Sequence, residues 1–145
     1  MASQFPGRDT KLKAQRVLQW SLLGGAAYFV GVTVAHWVGF KVPGLFIYYD
    51  IPSYAYQDRC IGVLCFGWGV FLFAASRHLV LVPAILVAGF AELVGYSLIN
   101  LSPELARLAP PQGLTGCWLV VLSLAAYISW VGVWFALARR GSPKP

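Results

Sequence analysis

The chain has 145 residues, of which 59% are hydrophobic and only 11% carry a charge. A soluble domain needs about 25% charged residues because its surface faces water, so this composition excludes an ordinary soluble globule and predicts a surface in contact with lipid. The net charge of +6 does not indicate nucleic-acid binding, because the basic residues flank the apolar runs and no nucleic-acid motif accompanies them.

The first predicted span covers residues 17–40, which carry no formal charge and lie between Arg16 and Lys41. At 1.5 Å per residue, a helix over this run is roughly 36 Å long, enough to cross a hydrocarbon core of about 30 Å. The run is too long for the h-region of a signal peptide, and no small-residue cleavage site follows it, so we expect a retained helix.

The second predicted span covers residues 51–76. The uncharged run that follows Arg59 is short for a membrane helix, which indicates that the helix begins earlier. Asp50 is a good N-cap, and Pro52 is tolerated in a first helical turn. We therefore expect the helix to begin near Ile51 and to carry its polar opening turns at the level of the lipid headgroups.

The third and fourth predicted spans cover residues 79–101 and 114–138. Arg77 and His78 form a tight turn between the second and third helices, and a short polar link joins the third helix to the fourth. Short connections join antiparallel neighbours. The sequence therefore predicts one all-α domain over residues 1–145, an integral membrane bundle of four helices in up-down-up-down order.

Small residues indicate where neighbouring helices approach closely, because lipid supplies no hydrophobic drive for helices to associate. The first helix carries small residues at four-residue spacing, and the second carries several glycines. They are Ala27, Gly31 and Ala35 in the first helix and Gly62, Gly67 and Gly69 in the second.

The orientation follows from the distribution of Lys and Arg, since the cytoplasmic segments of membrane proteins carry the excess. Eight of these residues lie on the side of both termini and three on the opposite side, which predicts cytoplasmic termini in the plasma (inner) membrane. The eight are Arg8, Lys11, Lys13, Arg16, Arg77, Arg139, Arg140 and Lys144, and the three are Lys41, Arg59 and Arg107.

Glu92 is an acid predicted to lie within the third membrane helix. A carboxylate at that depth is costly unless it is paired, hydrated or protonated. Tyr96 and Asn100 follow it at four-residue spacing and share its helix face, so all three are candidate binding residues, with Glu92 taking up a proton or a ligand. The alternative is a protonated Glu92 that holds the bundle together through a hydrogen bond. Its candidate partners are Tyr28, Ser123, Tyr127 and Ser129.

His36, Asp58 and Arg59 are predicted to reach one layer near the outer ends of the helices, at the height of Asn100. They could form a His36–Asp58 hydrogen bond and an anion site at Arg59, or they could be ordinary interfacial residues. The outer loop before the second helix is rich in tyrosine, and it is either a binding mouth or an interfacial aromatic belt. Its candidate binding residues are Tyr49, Asp50, Tyr54 and Tyr56.

The three cysteines form no metal-binding motif, and the sequence identifies neither a metal site nor a cofactor. Cys60 and Cys117 are both expected near the outer ends of their helices. That compartment permits disulfides, so a bridge between the second and fourth helices is one alternative.

Three functions are compatible with these residues. The first is a non-enzymatic accessory or scaffold subunit, or a small-molecule-binding bundle, whose partners are the lipid bilayer and other membrane subunits or a second copy of the chain. The second is a small proton-coupled transporter that uses Glu92. The third is a membrane enzyme that acts on a lipid or quinone in the outer leaflet through His36, Asp58 and Arg59, although no paired nucleophile and base support it.

Overall fold

A computed structural model describes residues 6–43, 45–48, 51–108 and 114–139, with side chains from residue 9 onward. Within this part of the chain, 86% of the residues are helical. The helices are α1 (Pro6–Val38), α2 (Ala55–Arg77), α3 (Val82–Asn100), α4 (Pro103–Leu108) and α5 (Thr115–Arg139), and a 3₁₀ turn (Leu79–Leu81) leads into α3.

Four of these helices, α1, α2, α3 with its 3₁₀ lead-in, and α5, are long and apolar enough to cross a membrane. Many large apolar side chains point away from the bundle, with Val80 83% exposed and Val87 72% exposed. Such side chains are stable only against lipid. The predicted all-α bundle of four membrane helices is therefore confirmed, and the chain is a small multi-pass integral membrane protein.

The helices are arranged in the order α2, α1, α5, α3. The most extensive packing joins α1 to α2, while α5 packs against both α1 and α3. Although the tight turn at His78 makes α2 and α3 successive antiparallel helices, they contact each other at few positions. We call the end with the start of α1, the 3₁₀ turn and the end of α5 the basic end, and the opposite end the loop end.

The helix α1 begins at Pro6, well before the predicted start at residue 17. The charged residues that precede the apolar run continue the helix, because Ala14 packs in the core one turn before Leu18. At its other end, α1 stops at Val38 rather than at residue 40. Gly39 adopts a left-handed φ of 71°, and the Phe40 N–H bonds to the Ala35 carbonyl at 2.9 Å, which is the Schellman arrangement.

The helix α2 begins at Ala55, so the predicted start near Ile51 is wrong. Pro52 lies before the helix in non-helical backbone, and Asp50, the predicted N-cap, lies outside the described residues. Tyr54 is the N-cap instead, in an extended conformation, and its N–H bonds to the Gln57 side chain at 3.1 Å. That contact satisfies one of the donors that a helix N-terminus leaves free.

The remaining helix bounds differ less from the predictions. The third span opens with the 3₁₀ turn and ends at Asn100, and α5 covers Thr115–Arg139. The link after α3 was predicted as a polar loop, but part of it forms the short helix α4. Ser102 caps this helix, because its Oγ accepts the Leu105 N–H at 3.2 Å, and Pro103 opens it.

The apolar core lies in the half of the bundle nearest the basic end. It is formed by the first half of α1, the end of α2, the start of α3 and the end of α5. The largest fully buried side chains are Leu18, Leu22, Leu72, Val82 and Val131. The loop half contains most of the buried polar side chains instead, among them His36, Asp58 and Asn100.

Close backbone approach occurs at only some of the small residues. Gly62 and Gly69 of α2 face α1, since a Cβ at Gly62 would lie 3.0 Å from Trp37 and one at Gly69 would lie 3.4 Å from the Ala26 carbonyl. A Cβ at Gly31 or Gly67 would meet no atom within 4 Å among the described residues. Sequence spacing therefore identified the helices that approach, but not every residue at the contact.

Gly25 and its neighbour Gly24 provide a matched test of the packing. A Cβ at Gly25 would clash with the Tyr127 hydroxyl, which donates a 3.1 Å hydrogen bond to the Ser21 carbonyl, whereas a Cβ at Gly24 meets nothing within 4 Å. We expect Gly25→Ala to lower the free energy of unfolding by about 1–3 kcal/mol. Gly24→Ala should be neutral or stabilising by up to about 1 kcal/mol. Thermal unfolding in detergent, followed by circular dichroism, measures both, and equal melting temperatures would contradict the packing described.

Candidate functional site

Glu92 lies in the middle of α3 and faces α2. It is half-buried, and the indole N–H of Trp68 on α2 lies close to its carboxyl group. Two of the four partners expected from the sequence are engaged elsewhere: the Tyr127 hydroxyl donates to the Ser21 carbonyl, and Ser123 donates to the Leu119 carbonyl at 2.8 Å. The donor beside Glu92 therefore belongs to a residue that sequence reasoning did not identify.

Aromatic rings pack beside the Trp68 indole. The Trp68 ring stacks on Phe29 of α1 with a centroid distance of 6.0 Å and an interplanar angle of 20°. Phe71 lies 5.9 Å from Trp68 on the same helix, and Tyr28 meets Phe29 edge-on at 5.5 Å. Glu92 therefore lies beside an aromatic cluster contributed by α1 and α2.

The polar residues between α2 and α3 form one continuous group. Tyr96 lies within electrostatic range of Glu92, Cys65 and Tyr28, so side chains of α1, α2 and α3 converge there. Side chains of α2 and α3 therefore come within electrostatic range of each other although the two backbones approach at few positions. We call the space between the two helices the α2–α3 groove, lined by Tyr28, Cys65, Trp68, Glu92 and Tyr96.

The face of α3 that carries Glu92 and Tyr96 ends at Asn100, as the four-residue spacing requires. Asn100 is 5% exposed, and its Oδ1 accepts a hydrogen bond of 3.1 Å from the Tyr48 hydroxyl. The Nδ2 of the same amide has no partner among the described residues. Tyr48 is thus the only side chain shown bonding to this buried amide, within the described part of the chain.

Residues 45–48, which we call the cap segment, close the loop end of the bundle. Phe46 is buried and stacks on the His36 ring of α1 with a centroid distance of 3.7 Å. The Ile47 carbonyl accepts a hydrogen bond of 3.7 Å from the Cys117 thiol of α5, and the Tyr48 hydroxyl bonds to Asn100 of α3. The segment therefore connects three of the four membrane helices.

A second polar cluster forms at the loop end around the buried carboxylate of Asp58. The Ser53 hydroxyl donates to its two oxygens at 2.9 and 3.2 Å, and the Lys41 ammonium lies 3.4 Å from Oδ2. The His36 Nδ1 lies 4.0 Å from Oδ1, which is too far for the hydrogen bond that the sequence allowed. Lys41, not Arg59, is the cation at this carboxylate, since Arg59 follows Asp58 on the helix and is exposed.

The other predicted site residues do not join these clusters. Tyr54 and Tyr56 are exposed and stack on each other with a centroid distance of 5.9 Å. Tyr49 and Asp50 lie outside the described residues. Cys60, Cys65 and Cys117 are not joined by a disulfide, and no group of metal-ligating side chains occurs in the described ranges.

Sequence reasoning missed Trp68, Tyr48 and Lys41. Lys41 follows the end of the first span closely, so its reach to an acid at the same height could have been inferred. Trp68 and Tyr48 gave no comparable signal, because their roles depend on how α2 and the cap segment are rotated against α3.

Comparison of the chain with protein family models, curated proteins and solved structures finds no match. Any functional proposal therefore depends on the geometry of the site alone.

Replacing Tyr48 with Phe tests the link between the cap segment and α3. The change removes the hydroxyl that bonds to Asn100 and leaves a buried amide with neither end paired in the described structure. We expect Tyr48→Phe to lower the free energy of unfolding by about 1–3 kcal/mol, the cost of an unsatisfied buried polar group. Tyr54→Phe is the control, because the Tyr54 ring is 71% exposed, and it should have no effect. Equal stabilities of the two variants in detergent would contradict the assignment.

The Tyr48 hydroxyl also makes the free energy of unfolding depend on pH. Burial, with a smaller contribution from Cys117, raises the pKa of Tyr48 to about 12. A tyrosine in an unfolded chain ionises near a pKa of about 10, so the stabilisation due to Tyr48 is complete below about pH 10 and is lost as the pH rises through about 12. We expect the stability difference between wild type and Tyr48→Phe to stay constant from about pH 7 to 9 and to shrink above about pH 10. A stability difference between the two proteins that grows with pH would overturn the assignment of Tyr48 as a buried hydrogen-bond donor.

Proposed function

We propose that this protein binds a small hydrophobic cation within the membrane and that Glu92 is the counter-ion. The observation that carries the proposal is the Glu92 carboxyl group in the α2–α3 groove, beside the aromatic cluster. In the described part of the chain, no Lys, Arg or His forms an ion pair with it. The nearest polar groups are the neutral donors and thiol of Trp68, Tyr96 and Cys65.

The cost of a charge in hydrocarbon determines what this carboxyl group can hold. The nearby indole N–H of Trp68 does not offset the desolvation of a carboxylate at membrane depth. The group is therefore stable in two forms, as the neutral acid or as the carboxylate beside a cation from outside the chain. A proton and a ligand cation then compete for one carboxyl group.

The walls of the groove favour a cation with an apolar body. The faces of aromatic rings attract cations, most strongly those of Trp, and this attraction grows when water is excluded. Trp68, Phe29 and Tyr28 supply such rings beside Glu92. A strongly hydrated inorganic ion gains little from these rings, so the chemistry fits an organic ammonium or phosphonium ion.

The groove is reached from the lipid. The α2 and α3 backbones approach at few positions, Tyr28 is 48% exposed and Glu92 is half-buried. A hydrophobic cation that partitions into the bilayer can therefore enter sideways. At the loop end, the cap segment packs across the described part of the bundle.

The cluster at Asp58 is better explained as a structural link than as a catalytic site. Both carboxylate oxygens are engaged by Ser53 and Lys41, and the His36 ring is covered by Phe46. Neither Asp58 nor His36 is therefore presented to a substrate, which disfavours an outer-leaflet enzyme that uses them.

We further propose that the protein lies in the inner membrane with its basic end on the cytoplasmic side. Five basic residues with described side chains lie at that end and three at the loop end, and cytoplasmic segments carry the excess of Lys and Arg. They are Lys11, Lys13, Arg16, Arg77 and Arg139 against Lys41, Arg59 and Arg107. Glu92 then lies nearer the outer surface, between the cap segment and the apolar core.

Binding of tetraphenylphosphonium to the detergent-purified protein tests the proposal, with uncharged triphenylphosphine oxide as the probe of similar bulk. We expect the cation to bind, the uncharged probe to bind much more weakly, and cation binding to weaken as the pH falls. Glu92→Gln keeps the shape of the side chain and removes its charge. It should weaken cation binding at least tenfold, the loss of a charged contact worth about 1.5–3 kcal/mol.

Glu104→Gln is the matched control, because Glu104 is exposed on α4 and the change removes the same charge. It should bind the cation as wild type does. Wild-type affinity in Glu92→Gln, or an equal loss in both variants, would refute the proposal. Circular-dichroism melts of both variants separate loss of binding from loss of fold.

A further inference from the structure

A second candidate site lies at the basic end, far along α3 from Glu92. A cavity of about 300 Å³ opens there between the first turns of α1, the lead-in to α3 and the end of α5. This volume is at the lower end of the range for small-molecule sites, which is about 300–1,000 Å³. Its polar lining is Lys11, Gln15 and Arg139, and its apolar lining includes Leu79, Val80 and Phe135.

The hydrogen-bond donors of the lining come from α1 and α5, and the apolar surface comes from the 3₁₀ turn, the start of α3 and α5. Lys11 and Gln15 are one turn apart on α1, so both reach the cavity from the same helix face. Arg139 approaches from α5, and its guanidinium lies 5.4 Å above the Phe135 ring, a contact that orients it. Val80 is 83% exposed, so the apolar wall continues into the lipid-facing surface.

The charge around the cavity is strongly positive. The described side chains at the basic end include five Lys or Arg residues, and Asp9 is the one acid among them. An anionic group is therefore attracted to this end, and the donors of Lys11, Gln15 and Arg139 suit the oxygens of a phosphate. The apolar wall on the lipid side suits an acyl chain attached to that phosphate.

We propose that this cavity binds the phosphate headgroup of an anionic phospholipid in the leaflet that faces the basic end. Basic pockets between membrane helices are the general form of such sites. The headgroup contacts Lys11, Gln15 and Arg139, while the acyl chains follow Val80 and Pro83 into the bilayer. The lipid then joins α1, α3 and α5 at the basic end. This site is independent of Glu92 and of the cation proposed there.

Lipid retention and thermal stability of the purified protein test the proposal. We expect phosphatidylglycerol to stay bound through native mass spectrometry and to raise the melting temperature in detergent more than phosphatidylcholine does. The double variant Lys11→Gln/Arg139→Gln should bind phosphatidylglycerol about thirtyfold more weakly, since each basic residue near an anionic membrane surface contributes a factor of about five.

The control is Lys13→Gln/Arg77→Gln, which removes the same charge from the same end but from residues that do not line the cavity. It should retain phosphatidylglycerol almost as wild type does. An equal loss in the two double variants would show diffuse attraction to the whole basic end and would overturn the site. Inorganic phosphate tested alone should give no stabilisation. A stabilisation equal to that by phosphatidylglycerol would make the cavity a site for a soluble anion and overturn the lipid assignment.

Discussion

The bundle depends on one constraint: its membrane helices are apolar on nearly every face, so burial alone cannot fix how each is rotated about its axis. Lipid competes equally for any of those faces. Rotation is fixed instead by positions where the backbones come close and by a few polar contacts. Gly69 against the Ala26 carbonyl is an example of the first kind, and Tyr48 bonded to Asn100 is an example of the second.

Apolar packing and polar contacts are separated along the bundle. Near the basic end, Leu18, Leu72 and Val131 fill an apolar core in which shape complementarity is sufficient. Near the loop end, the cap segment and Asp58 connect the helices through polar and aromatic contacts. Glu92 lies between these two regions, where neither the core nor the cap segment brings α2 and α3 together. A polar site can exist there because little tight packing would be lost.

The sequence predicted the features that depend on one helix at a time. The four spans follow from length and hydropathy, and the shared face of Glu92, Tyr96 and Asn100 follows from the helical repeat. Trp68 was not predictable, because its contact with Glu92 depends on the rotation of α2, and an apolar helix has no amphipathic stripe to reveal that rotation. The start of α2 was missed for a different reason. Asp50 and Pro52 are locally good helix-starting residues, but the Gln57 cap on Tyr54 begins the helix later.

The arrangement around α3 explains how a ligand could reach Glu92 without opening the bundle. The helix is held at one end by Val82 in the core and at the other by the bond from Tyr48 to Asn100, so both ends stay fixed. Across the middle, the Trp68 indole of α2 lies close to the Glu92 carboxyl, and its ring is stacked on Phe29 of α1. The cation site proposed at Glu92 is therefore reached through the loosely packed middle of α3, while both ends of the helix keep their contacts.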